Sequence, residues 1–184
     1  MISIRINGVN LTFEFAFFAV AALIFACGKS DIYAFAAACL VHELGHIIAV
    51  HAFGGRVGEV TFSSTGIRMR TGKSVMLPAI CDIVILVAGS FCNLLSFVLV
   101  RTGKFAEFSL ILGIFNLMPF SGLDGGCIVL TIGDIFCQSR TAVILLKIAA
   151  VIITAAMIGY SIYFNTINWF QIIMLYYCLA ELVT

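Results

Sequence analysis

Hydrophobic residues fill this chain in long blocks, and polar positions are confined to short gaps between them. A helix needs roughly 20 mostly apolar residues to cross about 30 Å of hydrocarbon, and the blocks divide on that scale. Six spans are expected: Leu11 to Cys27, Ile32 to Phe53, a third within Val75 to Val100 starting near Ala79, a fourth from Phe105 to about Thr131, then Thr141 to Phe164 and Ile167 to Val183. The first is short and carries Glu14. Its end, Ile24-Phe25-Ala26-Cys27, loosely resembles a lipoprotein cleavage site, but the bulky Phe25 and the interrupting carboxylate favour a retained helix. The fourth contains Pro119, Gly122, Gly125 and Gly126 and is expected to open there, because proline removes a backbone donor and glycine weakens a helix. Only Gly54 to Ser74 leaves the apolar background for more than a few residues. Within it Val60 and Phe62 alternate with polar neighbours, and so do Ile67 and Met69 between Arg68 and Arg70, with Ser64-Thr65-Gly66 as turn chemistry. That period of two predicts a short β-hairpin over Glu59 to Arg70, joining the second and third helices. The expected fold class is an all-α polytopic membrane protein with about six transmembrane helices, a small β-hairpin and a broken fourth span. Residues 1–184 are expected to form one integral membrane domain.

Composition agrees with the pattern. Of 184 residues, 62% are hydrophobic and 10% charged, and the mean hydropathy is +1.17. A soluble chain carries about a quarter charged residues, so this one has too few to cover a water-facing surface, and most of it is expected to face a lipid bilayer. The net charge of +1 excludes a basic nucleic-acid surface. Cys27, Cys39, Cys81, Cys92, Cys127, Cys137 and Cys178 never approach CxxC spacing and nearly all lie in apolar runs, where they read as small hydrophobes. With six spans, the side of the N-terminus holds Arg5, Arg56, Arg68, Arg70, Lys73 and Arg140, against Lys29, Arg101 and Lys104 opposite. This bias favours a cytoplasmic N-terminus.

Ionisable groups inside a bilayer are costly and default to a functional reading. His42, Glu43 and His46 lie midway along the second span as His42-Glu43-Leu44-Gly45-His46. Positions four apart on a helix differ by only about 40° and one turn of rise, so both imidazoles look the same way and can hold one metal ion. Glu43 is placed on an adjoining part of that face, able to reach a water beside the ion without ligating it. The bland alternative is a chance HExxH whose histidines are satisfied by hydrogen bonds. His51, about 140° around the helix from His46 and near the end of the span, reads as interfacial. Two histidines do not complete a catalytic zinc site, which usually has three protein ligands and one open position. Glu14 and Asp82 lie near the ends of their spans, where pairing with a cation or reaching the interface is the ordinary explanation, and Lys147 and Glu181 lie similarly and read as snorkelling to the interface. Asp124 differs, because it follows the helix break in Asn116-Leu117-Met118-Pro119-Phe120-Ser121-Gly122-Leu123-Asp124-Gly125-Gly126. Open backbone at membrane depth is tolerated only where protein or a water-filled cavity satisfies it. Asp124 is therefore the expected third ligand, the alternative being a loop aspartate that caps the next helix.

With these residues in hand, the chain resembles the site-2 protease family of intramembrane zinc metalloproteases. The resemblance covers nearly the whole length. It rests on HExxH at His42 to His46 and on the NxxP...DGG pattern at Asn116, Pro119, Asp124, Gly125 and Gly126. A Gly-Pro-x-x-Asn-like element of the family looks like Gly89-Ser90-Phe91-Cys92-Asn93, with Ser90 in place of proline. The family's membrane-associated β-hairpin matches Glu59 to Arg70. The compact layout is most similar to the subgroup containing the sporulation protease that releases a sigma factor, which implies a bacterial cytoplasmic membrane. The PDZ and nucleotide-sensing domains of other members are not expected here.

The resemblance implies a zinc-dependent endopeptidase acting in regulated intramembrane proteolysis. One zinc ion would be held by His42, His46 and Asp124, with Glu43 as the catalytic proton acceptor and Asn116 or Asn93 as oxyanion or substrate-positioning donor. The expected substrate is a single-span or membrane-tethered regulatory protein, such as a sigma-factor precursor, an anti-sigma factor or a remnant signal peptide, with a regulatory membrane partner possible. Two other classes compete: a metal permease, which needs ligands along a path through the membrane, and an inactive relative that binds single-span partners, whose motif would normally be degraded.

Overall fold

The computed structural model describes residues 2–6, 9–13, 31–55, 57–63, 66–71, 78–164 and 169–183. Among them are four strands, β1 (Ile2–Ile6), β2 (Val9–Phe13), β3 (Val57–Ser63) and β4 (Gly66–Thr71). The helices are α1 (Ile32–Ala52), α2 (Ala79–Val100), α3 (Lys104–Asn116), α4 (Asp124–Ile135), α5 (Ser139–Phe164) and α6 (Trp169–Val183). The chain divides into two compact units, Met1–Leu117 and Met118–Thr184.

In the first unit the strands form one sheet in the order β1-β2-β3-β4. β3 and β4 are antiparallel, with Val60 opposite Met69 and Phe62 opposite Ile67. β2 lies parallel to β3 on its other side, Leu11 beside Val60 and Phe13 beside Phe62. This corrects the helix expected to begin at Leu11. Val9, Leu11 and Phe13 alternate with Asn10 and Thr12, a period of two that suits a strand, and the pairing with β3 satisfies their backbone. The rest of that expected span, including Glu14, lies outside the described residues, as do the turn residues Ser64 and Thr65.

α1 turns Ala38, His42, Gly45, His46, Ala49 and Val50 inward, positions spaced by three and four that form one stripe. Tyr33, Leu40, Leu44 and Ile48 point outward and are exposed. α2 repeats the arrangement, burying Gly89, Ser90 and Asn93 and exposing Val84, Phe91, Leu95 and Val98. Small and polar residues inside with large aliphatic ones outside is the reverse of a water-soluble helix and suits packing in lipid. The two helices cross closely at Gly45, where a Cβ would come within 2.6 Å of the Ala88 carbonyl oxygen.

α1, α2 and α5 are long and apolar enough to cross a membrane. α3 and α4 have 13 and 12 residues, and at about 1.5 Å per residue the longer reaches roughly 20 Å. The apolar run expected as a fourth span is divided into α3 and α4, with Leu117 to Leu123 between them. α6 covers Trp169–Val183 of the expected last span, whose first two residues lie outside the described residues. In the second unit, α5 buries Ala142, Leu146 and Ala150 along one stripe, and α4 meets it where Gly133 faces Ala142.

Candidate metal centre

The helical spacing of His42 and His46 brings their rings edge to face, with centroids 4.7 Å apart and an interplanar angle of 88°. Both side chains are buried, and the two Nε2 atoms lie 3.1 Å apart. Ligands about 2.0–2.1 Å from a tetrahedral zinc ion sit roughly 3.3 Å from each other, so the pair already has nearly the separation that one ion requires. α2 supplies the space. A Cβ on Gly89 would run into His46 Nε2, and would come within 2.6 Å of His46 Cε1 and 2.9 Å of His42 Cε1.

The outer nitrogens fix the rings. His46 Nδ1 lies 2.7 Å from the Ile85 carbonyl oxygen on α2. A carbonyl only accepts, so Nδ1 carries the proton and the Nε2 lone pair of His46 is left for ligation. Asn93, fully buried, has its Nδ2 3.4 Å from His42 Nδ1. Taken as they stand, these contacts form a chain: Asn93 donates to His42 Nδ1, His42 Nε2 donates to His46 Nε2, and His46 Nδ1 donates to Ile85. Ligation through both Nε2 atoms needs His42 protonated at Nδ1 instead. A half-turn of the Asn93 carboxamide accommodates this by bringing Oδ1 to that proton. Oδ1 is buried and, among the described residues, has no hydrogen-bond partner in the present orientation. Such a partner on the outer nitrogen holds a metal-ligating histidine in the required tautomer.

Asp124 is the first residue of α4. The preceding stretch turns tightly, with hydrogen bonds from Phe120 N–H to the Met118 carbonyl at 2.9 Å and from Leu123 N–H to the Phe120 carbonyl at 2.8 Å. Gly126 permits that turn, since a Cβ there would collide with the Phe120 carbonyl. His42 and His46 each offer an imidazole nitrogen and Asp124 offers a carboxylate oxygen, the kinds of atom that could hold a metal ion. Two imidazole nitrogens and a carboxylate oxygen are a donor set that suits zinc. Glu43 is half-buried, with Oε2 closed off from solvent.

The remaining expected residues separate. Asn116 donates its amide to the Leu112 carbonyl of its own helix at 3.1 Å. His51 is exposed and bonds the Ile47 carbonyl at 2.9 Å. Glu181 differs from its expected place at the interface, being only 4% exposed. Its carboxylate accepts the Ser121 N–H at 2.7 Å, which explains why it stays inside. Sequence reasoning missed this contact, because a carboxylate near the end of an apolar run reads equally well as interfacial. It also missed the Ile85 carbonyl, a backbone group with no signature in residue type.

Membrane-length helices and a buried, facing pair of histidines make this a candidate metal site in a membrane protein. No family model and no curated protein matches the sequence. Among solved structures, the fold is similar to that of the site-2 protease from Methanocaldococcus jannaschii, with a TM-score of 0.64 and 17% identity, covering 99% of this chain and 92% of that one. At that identity the likeness is one of fold.

Proposed function

We propose that the chain is a zinc-dependent intramembrane endopeptidase of the site-2 protease kind, cleaving single-span or membrane-tethered regulatory proteins. The observation that carries this reading is the buried His42–His46 pair, with Nε2 atoms 3.1 Å apart, on a helix that also carries the glutamate of HExxH and in a fold similar to that of a solved site-2 protease. His42 and His46 would ligate through Nε2 and Asp124 through a carboxylate oxygen. Bound there, zinc would supply Lewis acidity, lowering the pKa of water to roughly 7 and polarising the scissile carbonyl.

The chain's own residues supply the rest. Glu43 accepts the proton of the attacking water and passes it to the leaving amine. Ile85 and Asn93 hold the two imidazoles, so Asn93 acts through His42. The buried stripe of α1 and α2 keeps these groups in a low-dielectric setting, where a misdirected proton has few other acceptors. A substrate helix hides its scissile carbonyl in its own hydrogen bonds and must unwind before attack. An extended segment can add to a sheet edge, and the β1-β2-β3-β4 sheet offers such edges. Sporulation-type sigma-factor precursors fit this substrate class, as do anti-sigma factors, with a membrane partner controlling access.

The test is a cleavage assay in vesicles with purified protein and a panel of single-span regulatory segments. A strong zinc chelator should abolish cleavage, and added zinc should restore it. Cleavage that persists after the metal is stripped would overturn the reading.

A further inference from the structure

The seven residues from Leu117 to Leu123 carry open backbone between two helices, and open backbone in an apolar setting needs partners from elsewhere. Side chains meet that need at Ser121. Its N–H donates to the Glu181 carboxylate at 2.7 Å, and its carbonyl accepts from Cys127 Sγ at 3.6 Å. One turn before Glu181 on α6, the Tyr177 ring packs on Phe120, with centroids 5.9 Å apart. Phe120 is fully buried. Tyr177 Cε1 also stands 3.6 Å from where a Cβ of Gly122 would be. Three consecutive residues of the turn, Phe120, Ser121 and Gly122, therefore bear on one face of α6, made by positions four apart.

Burying a carboxylate costs free energy unless it is hydrogen-bonded. A helix that needed only apolar packing would be better served by leucine at this position. What the carboxylate adds is a charge-assisted hydrogen bond, stronger than a neutral one and confined in direction. It grips a peptide three residues before Asp124.

We infer that Glu181 is a positioning residue: with Tyr177 it clamps the Ser121 to Asp124 turn against α6 and so sets the direction in which Asp124 enters α4. The consequence for metal binding rests on the proposed ligand role of Asp124, whereas the clamp itself does not.

The experiment compares wild type, Glu181→Ala and Glu181→Gln as full-length chains in detergent, by amide hydrogen exchange of the turn after chelator treatment and by chelator competition for zinc. In Glu181→Ala, exchange at Ser121 should quicken by roughly tenfold or more, the loss expected for a hydrogen bond to a charged group. Zinc affinity should fall by about 10–100-fold, as when an outer-shell partner is removed. Glu181→Gln keeps an acceptor oxygen but no charge, so both readouts should fall between those of wild type and Glu181→Ala. Should Glu181→Ala fail to fold, the intermediate shift in Glu181→Gln carries the test. Wild-type exchange at Ser121 in whichever variants fold would overturn the clamp, even with zinc bound normally. Quickened exchange in a protein whose wild type binds no zinc would support the clamp and sink the metalloprotease reading instead.

Discussion

Gly89→Ala is expected to empty the metal centre while the helices remain folded, with zinc affinity lower by on the order of 100-fold or more. Alanine is the better helix former by about 1 kcal/mol, so α2 itself has no reason to unwind. The conflict lies with the ligands, because the new methyl would occupy space held by His46 Nε2, His46 Cε1 and His42 Cε1. The rings cannot swing aside freely. His46 is held by the Ile85 carbonyl at 2.7 Å, and His42 has Asn93 at 3.4 Å. Moving either ring breaks a buried hydrogen bond and changes the Nε2 separation. Zinc content after dialysis, alongside far-ultraviolet circular dichroism, checks this directly. A folded Gly89→Ala protein with wild-type zinc would show that the histidines do not hold the ion through the atoms that face Gly89.

That prediction could not have been made from the sequence, although the histidines it concerns could. Four-residue spacing fixes two side chains on one helical face whatever surrounds them, so His42 and His46 were legible at once. The helix break before Asp124 was legible for a different reason, since Pro119 and the following glycines mark where a helix opens. Gly89 carries no such signal, because what a glycine makes room for depends on the neighbouring helix. The first strands were hidden by their position. Leu11 and Phe13 abut a long apolar block, and a hydropathy window merges them with it, while the alternation that marks β2 is only five residues long. Glu181 was misplaced because burial of a carboxylate depends on its partner, here a peptide 60 residues earlier in the chain. Neutral amides gave the weakest signal. Asn93 and Asn116 looked interchangeable in sequence, yet one faces His42 and the other bonds its own helix.

Glu43→Gln should abolish cleavage while zinc stays bound. Proton transfer by a positioned side chain contributes about 10²–10⁴-fold to a rate, and glutamine has nearly the shape of glutamate but accepts no proton at neutral pH. The contacts of His46 with Ile85 and of His42 with Asn93 do not involve Glu43, so zinc content should match wild type. The combination of lost cleavage and retained zinc separates the protease reading from a metal permease, whose transport would not depend specifically on a proton-accepting carboxylate at this position. Cleavage within a few-fold of wild type would remove Glu43 from the chemistry.

The most direct measurement is X-ray absorption at the zinc edge on purified wild-type protein. The expected spectrum has a four-coordinate ion with two imidazole nitrogens and oxygen neighbours, all at about 2.0–2.2 Å. In Asp124→Asn the contribution of a protein oxygen should weaken or the ion should be lost. A sulfur shell near 2.3 Å, or protein that stays metal-free when zinc is supplied, would contradict the account.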